Sequence, residues 1–227
     1  SMKIRALFFL MAFAIVTNCI SAGKVTVWSS LPDTKALLVK QSIKLNTKPV
    51  EIKNKVEIFP DQACQSVEGV GAALTHSSAY VFHHNLTDER RDSLFKVLFT
   101  PEGIGINYTR LCIGASDFAF NLFSYSETED FSLSNFNILE DEKDVIPMLK
   151  EILVINPNLK ILASPWSPPG WMKTSGSMVG GKLRPDCYDV YAEYLIKYIE
   201  AYRQHGINID ALTVQNEPEY GTAAYPC

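Results

Sequence analysis

Short apolar runs, each followed by a polar loop and then a stretch with helical periodicity, recur from Glu68 onward. The runs EGVGAALT, INYTRLCIG, LKILASPWS and IDALTVQNEP predict four strands. The stretches between them predict helices near Thr87–Phe99, Asp141–Ile155 and Asp186–His205. Strand and helix alternating in this way argue for parallel β-structure with crossover helices. Before Glu68 the pattern is different. VTVWSSL, KALLVKQSIKL and VEIKNKVEIFP, the last two with period-two alternation, predict strands of a small antiparallel sheet between Lys24 and Pro60.

The predicted helices carry their own punctuation. Thr87 is placed to cap the first, with Asp88 and Glu89 in its opening turn, where negative charge complements the helix dipole. Pro147 requires the second to begin just before it or to kink there. In the third, Tyr188, Tyr191, Leu195, Ile199 and Tyr202 recur at steps of three and four, and Gly206 can stop it. That spacing makes the aromatics core residues rather than a ligand platform.

The first 22 residues read as a separate segment. Lys3 and Arg5 precede an apolar stretch from Ala6 to Val16, and small residues follow at Ser21 and Ala22, the layout of a secretory signal peptide and too short for a membrane span. A buried N-terminal helix and a lipoprotein-type cleavage before Cys19 are the alternatives. Export implies a secreted or periplasmic product, with lipid anchoring or a lysosomal destination also open. Residues 23–62 are then assigned to the antiparallel sheet and 63–227 to the α/β domain.

Composition narrows the partners. The chain of 227 residues is 47% hydrophobic and 20% charged with a formal charge of −4, a globular make-up without the basic footprint of a nucleic-acid binder. Cys64, Cys112, Cys187 and Cys227 match neither a zinc motif nor a dense disulfide scaffold, and Cys112 reads as a small core residue. Glu127, Glu129 and Asp130 share a predicted loop, but no ligand spacing supports a metal there. The sequons at Asn85 and Asn107 have meaning only in a glycosylating host.

In parallel α/β folds the loops after the strands converge on one rim, where the chemistry sits. Here His76 follows the first run, Arg110 lies within the second with Asp117 just after it, Trp166 follows the third, and Asn216 with Glu217 follow the fourth. That set suits sugar chemistry. A glycosidic bond needs a carboxylic acid to protonate the departing oxygen, hydrogen-bond partners for ring hydroxyls, and an aromatic surface for the ring's C–H face. Glu217 is the natural proton donor, the alternative being a surface carboxylate that caps the next helix, and Asn216 beside it is placed to bond a ring hydroxyl. Asp117 either takes a pair of hydroxyls or starts a turn, and Trp166 either offers a face and an N–H or fills a packing site between loop and core. Arg110, inside a strand, must find partners, either in a salt bridge or in the pocket. His76 is a rim residue that either touches substrate or is satisfied internally.

A doubly wound sheet lacks its markers here, there being no GxGxxG after the first strand and no P-loop. The stretches EGVGAALTHSSA, PEGIGINYTRLCIGASDF, ILASPWSPPGWMKTSG and ALTVQNEP instead resemble, in order and spacing, glycoside hydrolase family 30, the retaining β-glycosidases that include glucosylceramidases and β-1,6-glucanases. The resemblance implies an α/β fold, the N-terminal half of a (β/α)8 TIM barrel, preceded by strands of a side β-sandwich. It carries over Glu217 as general acid/base, Asn216 as partner of the sugar 2-hydroxyl, Asp117, Trp166 and Arg110 as pocket residues, no metal and no organic cofactor. The implied substrate is a β-glucan, a glycolipid or an oligosaccharide. Many relatives have Asp where this chain has His76. The nucleophile implied by the resemblance is a glutamate at the end of the seventh strand, beyond Cys227, so the chain by itself is expected to be inactive. A non-catalytic carbohydrate-binding protein or an inactive fragment is the alternative from another class, and the same mechanism on a xylosyl, galactosyl or fucosyl linkage is the nearer one.

Overall fold

The computed structural model describes residues 23–31, 36–45 and 54–227 and divides into two units at Cys64/Gln65. Residues 1–22, which hold the expected signal peptide and Cys19, lie outside the described residues.

In the first unit, β1 (Lys24–Leu31) pairs antiparallel with β2 (Ala36–Lys44), Lys24 opposite Lys44 and Val27 opposite Gln41, with an irregularity between Ser29 and Leu31. The Lys40 ammonium lies 5.1 Å from the Trp28 ring centroid. The pairing agrees with a side-sandwich origin for this segment. The third strand expected over VEIKNKVEIFP is not found in its described part. Residues 54–60 form no strand, and 50–53 lie outside the described residues.

The second unit is built on a four-stranded parallel sheet, β3 (Gly71–Leu74), β4 (Tyr108–Ile113), β5 (Lys160–Pro165) and β6 (Ala211–Leu212), ordered β3-β4-β5-β6. The strand order follows the chain order and never reverses. That is the sequential winding of a barrel wall, whereas a doubly wound sheet changes direction at a switch point. Pairing is close at the first step. A Cβ on Gly71 would stand 1.6 Å from the Tyr108 carbonyl oxygen, so only glycine fits.

Helices cross between the strands: α1 (His76–His84) and α2 (Asp88–Phe99) after β3, α3 (Leu139–Lys143) and α4 (Val145–Ile155) after β4, and α5 (Tyr188–Gln204) after β5. The sequence pattern omitted α1, a nine-residue helix with little amphipathic contrast. Thr75, read as a strand-end residue, is in fact its N-cap and accepts a hydrogen bond from the Ser78 N–H at 3.2 Å. The cap expected at Thr87 forms, with Thr87 Oγ1 accepting from the Arg90 N–H. The helix expected over Asp141–Ile155 is broken at Asp144, and α4 starts two residues before Pro147, where the missing N–H costs nothing.

The stripe of α5 also sits differently from its expected course. Tyr188 is exposed, while Tyr191, Tyr194, Tyr198 and Tyr202 fill the core. Gly206, at φ +79°, ends the helix as expected.

Two polar contacts lock helices together. Arg91 of α2, buried, donates from Nε and Nη2 to Glu151 of α4 at 2.7 and 2.9 Å and from Nη2 to Asp88 at 2.9 Å. Because Glu151→Ala strips the buried guanidinium of its bidentate partner, we expect a loss of about 1–3 kcal/mol in urea denaturation of the full-length protein. A midpoint unchanged from wild type would show that the pair adds nothing.

The second contact is deeper. Asp141 of α3 is fully buried, accepting from the Tyr125 and Tyr202 hydroxyls at 2.7 and 2.6 Å on Oδ2 and meeting His76 Nε2 at 2.7 Å on Oδ1. Burial, and next the Asp141 charge, hold both phenols well above the ordinary tyrosine range.

Candidate active site

The carboxyl ends of β4, β5 and β6 bring three of the expected residues together. Arg110 of β4 pairs in register with Leu162 of β5, and its Nη2 donates to Ser164 Oγ at 2.8 Å and to Asn216 Oδ1 at 2.9 Å. Its guanidinium carbon lies 4.7 Å from the centroid of the buried Trp166 ring. Among the described residues Arg110 has no carboxylate partner. Its neighbours are instead the Ser164 hydroxyl, the Asn216 amide and the Trp166 ring.

This arrangement decides how Asn216 faces. A guanidinium can only donate, so the oxygen of the Asn216 amide is the atom turned toward Arg110. The amide N–H2 is then directed away from Arg110, where it can donate to a ligand oxygen.

Beyond Leu212 the backbone continues to follow β5 irregularly. The Thr213 N–H donates to the Ala163 carbonyl at 3.0 Å and the Asn216 N–H to the Pro165 carbonyl at 2.7 Å. Three residues on one side thus span two on the other, and this bulge-like slack re-aims the end of the strand. Gln215 holds the turn by donating to the Trp166 carbonyl at 2.6 Å. Thr213 Oγ1 sits 2.5 Å from Ser164 Oγ, completing the chain from Arg110 to β6.

Glu217 follows with φ +45°, in the left-handed region that costs a residue bearing a Cβ about 1 kcal/mol. Its side chain is exposed and makes no hydrogen bond among the described residues. It borders a cavity of about 400 Å³, with Lys173, Tyr191, Gln215, Tyr220 and Cys227 among its walls. Asp117 is likewise exposed, in the loop after β4, without a hydrogen bond to its carboxylate. Sequence reasoning passed over Tyr225, whose phenol stands above the ordinary range. The causes are desolvation first, then the hydrogen bond and charge shared with Tyr220, then the negative charges of Glu217 and Asp117. Tyr225 therefore lies within electrostatic reach of both carboxylates, and no local signal in TAAYPC could have indicated that.

His76 is placed elsewhere. As the first residue of α1 it is tied through Nε2 to buried Asp141 and packs edge-on against Phe123 at 4.9 Å. Its side chain is 11% exposed, and no contact joins it to Arg110, Trp166 or Asn216. Nε2 thus has an internal partner, while the buried Nδ1 has none among the described residues, and the ring borders a pocket with Tyr80, Phe120 and Phe123.

The carboxylates of the acidic loop have partners within the protein. Asp130 accepts from both Ser132 and Ser134, Glu129 meets Arg184 at 3.5 Å, and Glu127 accepts from the Ser124 N–H. Cys112 is a core residue, as expected, its thiol pushed up to about 11 by burial.

A sequentially wound parallel sheet with an Arg-Asn-Trp cluster and a strand-terminal carboxylate on its carboxyl rim defines a TIM-barrel enzyme domain. The glycosyl hydrolase family 30 TIM-barrel domain matches residues 67–225, and the chain belongs to that family. It is 37% identical over 182 residues to an endo-1,6-beta-D-glucanase of Neurospora crassa, covering 77% of this chain and 38% of that protein. It is 33% identical over 176 residues to the lysosomal acid glucosylceramidase of Mus musculus, covering 74% and 34%. Among solved structures, SrfJ from Salmonella typhimurium superposes with a TM-score of 0.76 at 30% identity, over 90% of this chain and 46% of that one. The endo-beta1,6-glucanase BT3312 gives 0.69 at 35%, over 74% and 38%. The chain spans about two fifths of the length of the relatives it matches.

Proposed function

We propose that the full-length protein is a retaining β-glycosidase cleaving β-glucosyl linkages of a β-1,6-glucan or a glucosylceramide-type glycolipid. The observation that carries this reading is the Arg110–Asn216 contact, which orients an amide donor directly beside Glu217. In this reading Asn216 donates to the 2-hydroxyl of the sugar. Trp166, buried at the rim, and Asp117 bind the remaining hydroxyls of the innermost subsite. Two names among the relatives, endo-1,6-beta-D-glucanase and lysosomal acid glucosylceramidase, support the sugar and leave the aglycone as either glucan or lipid.

Glu217 protonates the departing oxygen while a second carboxylate, from a later strand of the complete barrel, attacks the anomeric carbon to form a glycosyl ester. Glu217, now ionised, then draws a proton from water as the water displaces that ester. Retention requires the two carboxyl groups about 5 to 5.5 Å apart on opposite sides of the sugar; Glu219, two residues along the same loop, cannot stand in for a carboxylate facing Glu217 from the far side of the barrel. No metal or organic cofactor enters either step. The proposed setting is extracytoplasmic, following the signal-like N-terminus. Among the described residues no helix is long and apolar enough to cross a membrane.

The test is the anomeric configuration of the first product. With full-length protein and a β-1,6-glucan or glucosylceramide, proton NMR should show the β-anomer first, with the α-anomer arising only by mutarotation. An α-anomer formed first would exclude double displacement. Failure to cleave any β-linked glucan or glycolipid would leave a carbohydrate-binding protein instead.

A further inference from the structure

On the face of the domain where α1 meets α4, away from the Arg110–Asn216 cluster, three side chains converge that the proposed reaction does not use. His83 Nδ1 and His84 Nε2 lie 2.7 and 2.8 Å from the same oxygen of Asp144. The donor atoms of all three lie within 4.8 Å of one another, the one such group among the described residues. We propose that His83, His84 and Asp144 form a zinc(II) site that clamps the C-terminus of α1 to the N-terminus of α4.

The chemistry of the donors selects the metal. Two imidazoles with one carboxylate suit zinc, whereas calcium and magnesium prefer oxygen ligands throughout. Consecutive residues on a helix rarely reach one point, and here the choice of nitrogen makes up the difference. His83 uses Nδ1, near its backbone, and His84 uses the distal Nε2. Ligands about 2 Å from a tetrahedral ion stand about 3.3 Å apart, so the two nitrogen–oxygen spacings of 2.7 and 2.8 Å have to open by about half an ångström, with the two nitrogens already within 4.8 Å of each other.

The surroundings fit as well. Asp144 occupies the N-cap position of α4 yet makes no capping hydrogen bond, so its carboxylate is turned to the histidines and not to its own helix. The C-terminus of α1 presents carbonyl dipoles that favour a cation. The neighbouring Lys143, which would repel one, donates to Glu140 at 2.6 Å. Tilted ring contacts hold the imidazoles in place, Tyr80 against His84 at 4.5 Å and His83 against His84 at 4.6 Å. His84 is 47% exposed, which leaves an entry path and room for a water as fourth ligand.

Isothermal titration of metal-stripped full-length protein with zinc chloride at neutral pH tests the site. One equivalent is expected, with a rise in melting temperature because zinc binds only the folded arrangement. His84→Asn, at a half-exposed position that the fold tolerates, should weaken binding about 10- to 100-fold or more, and Asp144→Asn similarly. Cys64→Ser, which removes an exposed thiol capable of binding zinc, should leave the affinity unchanged. Cobalt(II) should give ligand-field bands without thiolate charge transfer. An unchanged affinity in His84→Asn, a thiolate band, or no zinc uptake by the wild type would each overturn the site.

Discussion

Replacing Glu217 by Gln is expected to lower kcat/KM of the full-length protein on a β-glucan or glycolipid by about 10²–10⁴-fold. The amide keeps the size of the side chain and cannot deliver a proton to a poor leaving group. An aryl glucoside with an acidic phenol needs little protonation, so its first step survives. Its second step, which needs a base to activate water, becomes limiting. Burst kinetics on the aryl substrate and rescue by azide, which attacks without general-base help, therefore accompany the loss on natural substrates. Folding is not expected to suffer, because the Glu217 side chain is exposed and bonds to nothing among the described residues. Full activity of the variant on a polysaccharide would remove Glu217 from the mechanism.

Asp141→Ala carries the largest expected effect on stability. It removes the acceptor of two buried tyrosine hydroxyls and the partner of His76 in a region from which all solvent is excluded around the carboxylate. Three polar groups are left without their partner, and breaking such a buried charged network costs about 3–5 kcal/mol. Against a typical total of about 5–15 kcal/mol, that is a loss visible in any urea or thermal melt of the full-length protein. Asp141→Asn, which keeps one acceptor oxygen, should fall between. A loss below about 1 kcal/mol for the alanine variant would mean that water or a rearranged side chain takes the place of the carboxylate.

The Asp141 network gives His76 a partner that sequence reasoning did not name. A histidine right after a strand in a barrel-like pattern belongs to the rim, and the local pattern carries no hint of a carboxylate 65 residues later. The same holds for Tyr202, whose periodicity marks it as core, while its hydroxyl partner is supplied by another helix. The α5 stripe was legible as a stripe, but which tyrosines lie at its centre depends on how the helix rolls against α3 and the loop bearing Tyr125. Tyr125 stacks on Tyr194 and Tyr198 at 6.0 and 5.7 Å, and that contact turns Tyr188 outward.

Elements set by short-range chemistry were readable from the chain. Thr87 caps α2 because its hydroxyl and the next three residues suffice, and Gly206 stops α5 because a left-handed residue is needed there. Pro147 fixed the start of α4 to within two residues for an equally local reason. Four apolar runs separated by helical stretches determined parallel α/β structure, and the order of their motifs determined the family. The tertiary structure alone decided that Arg110 meets Asn216 across 106 residues, that one face of Trp166 is given to that guanidinium, and that Tyr225 feels both Glu217 and Asp117. It also decided that two adjacent histidines meet the same oxygen of Asp144, 60 and 61 residues away. Periodicity and capping act within a turn or two of chain and are written there. Hydrogen bonds between strand ends and helix ends depend on sheet register and helix roll, which exist only once the whole set of strands and helices has packed.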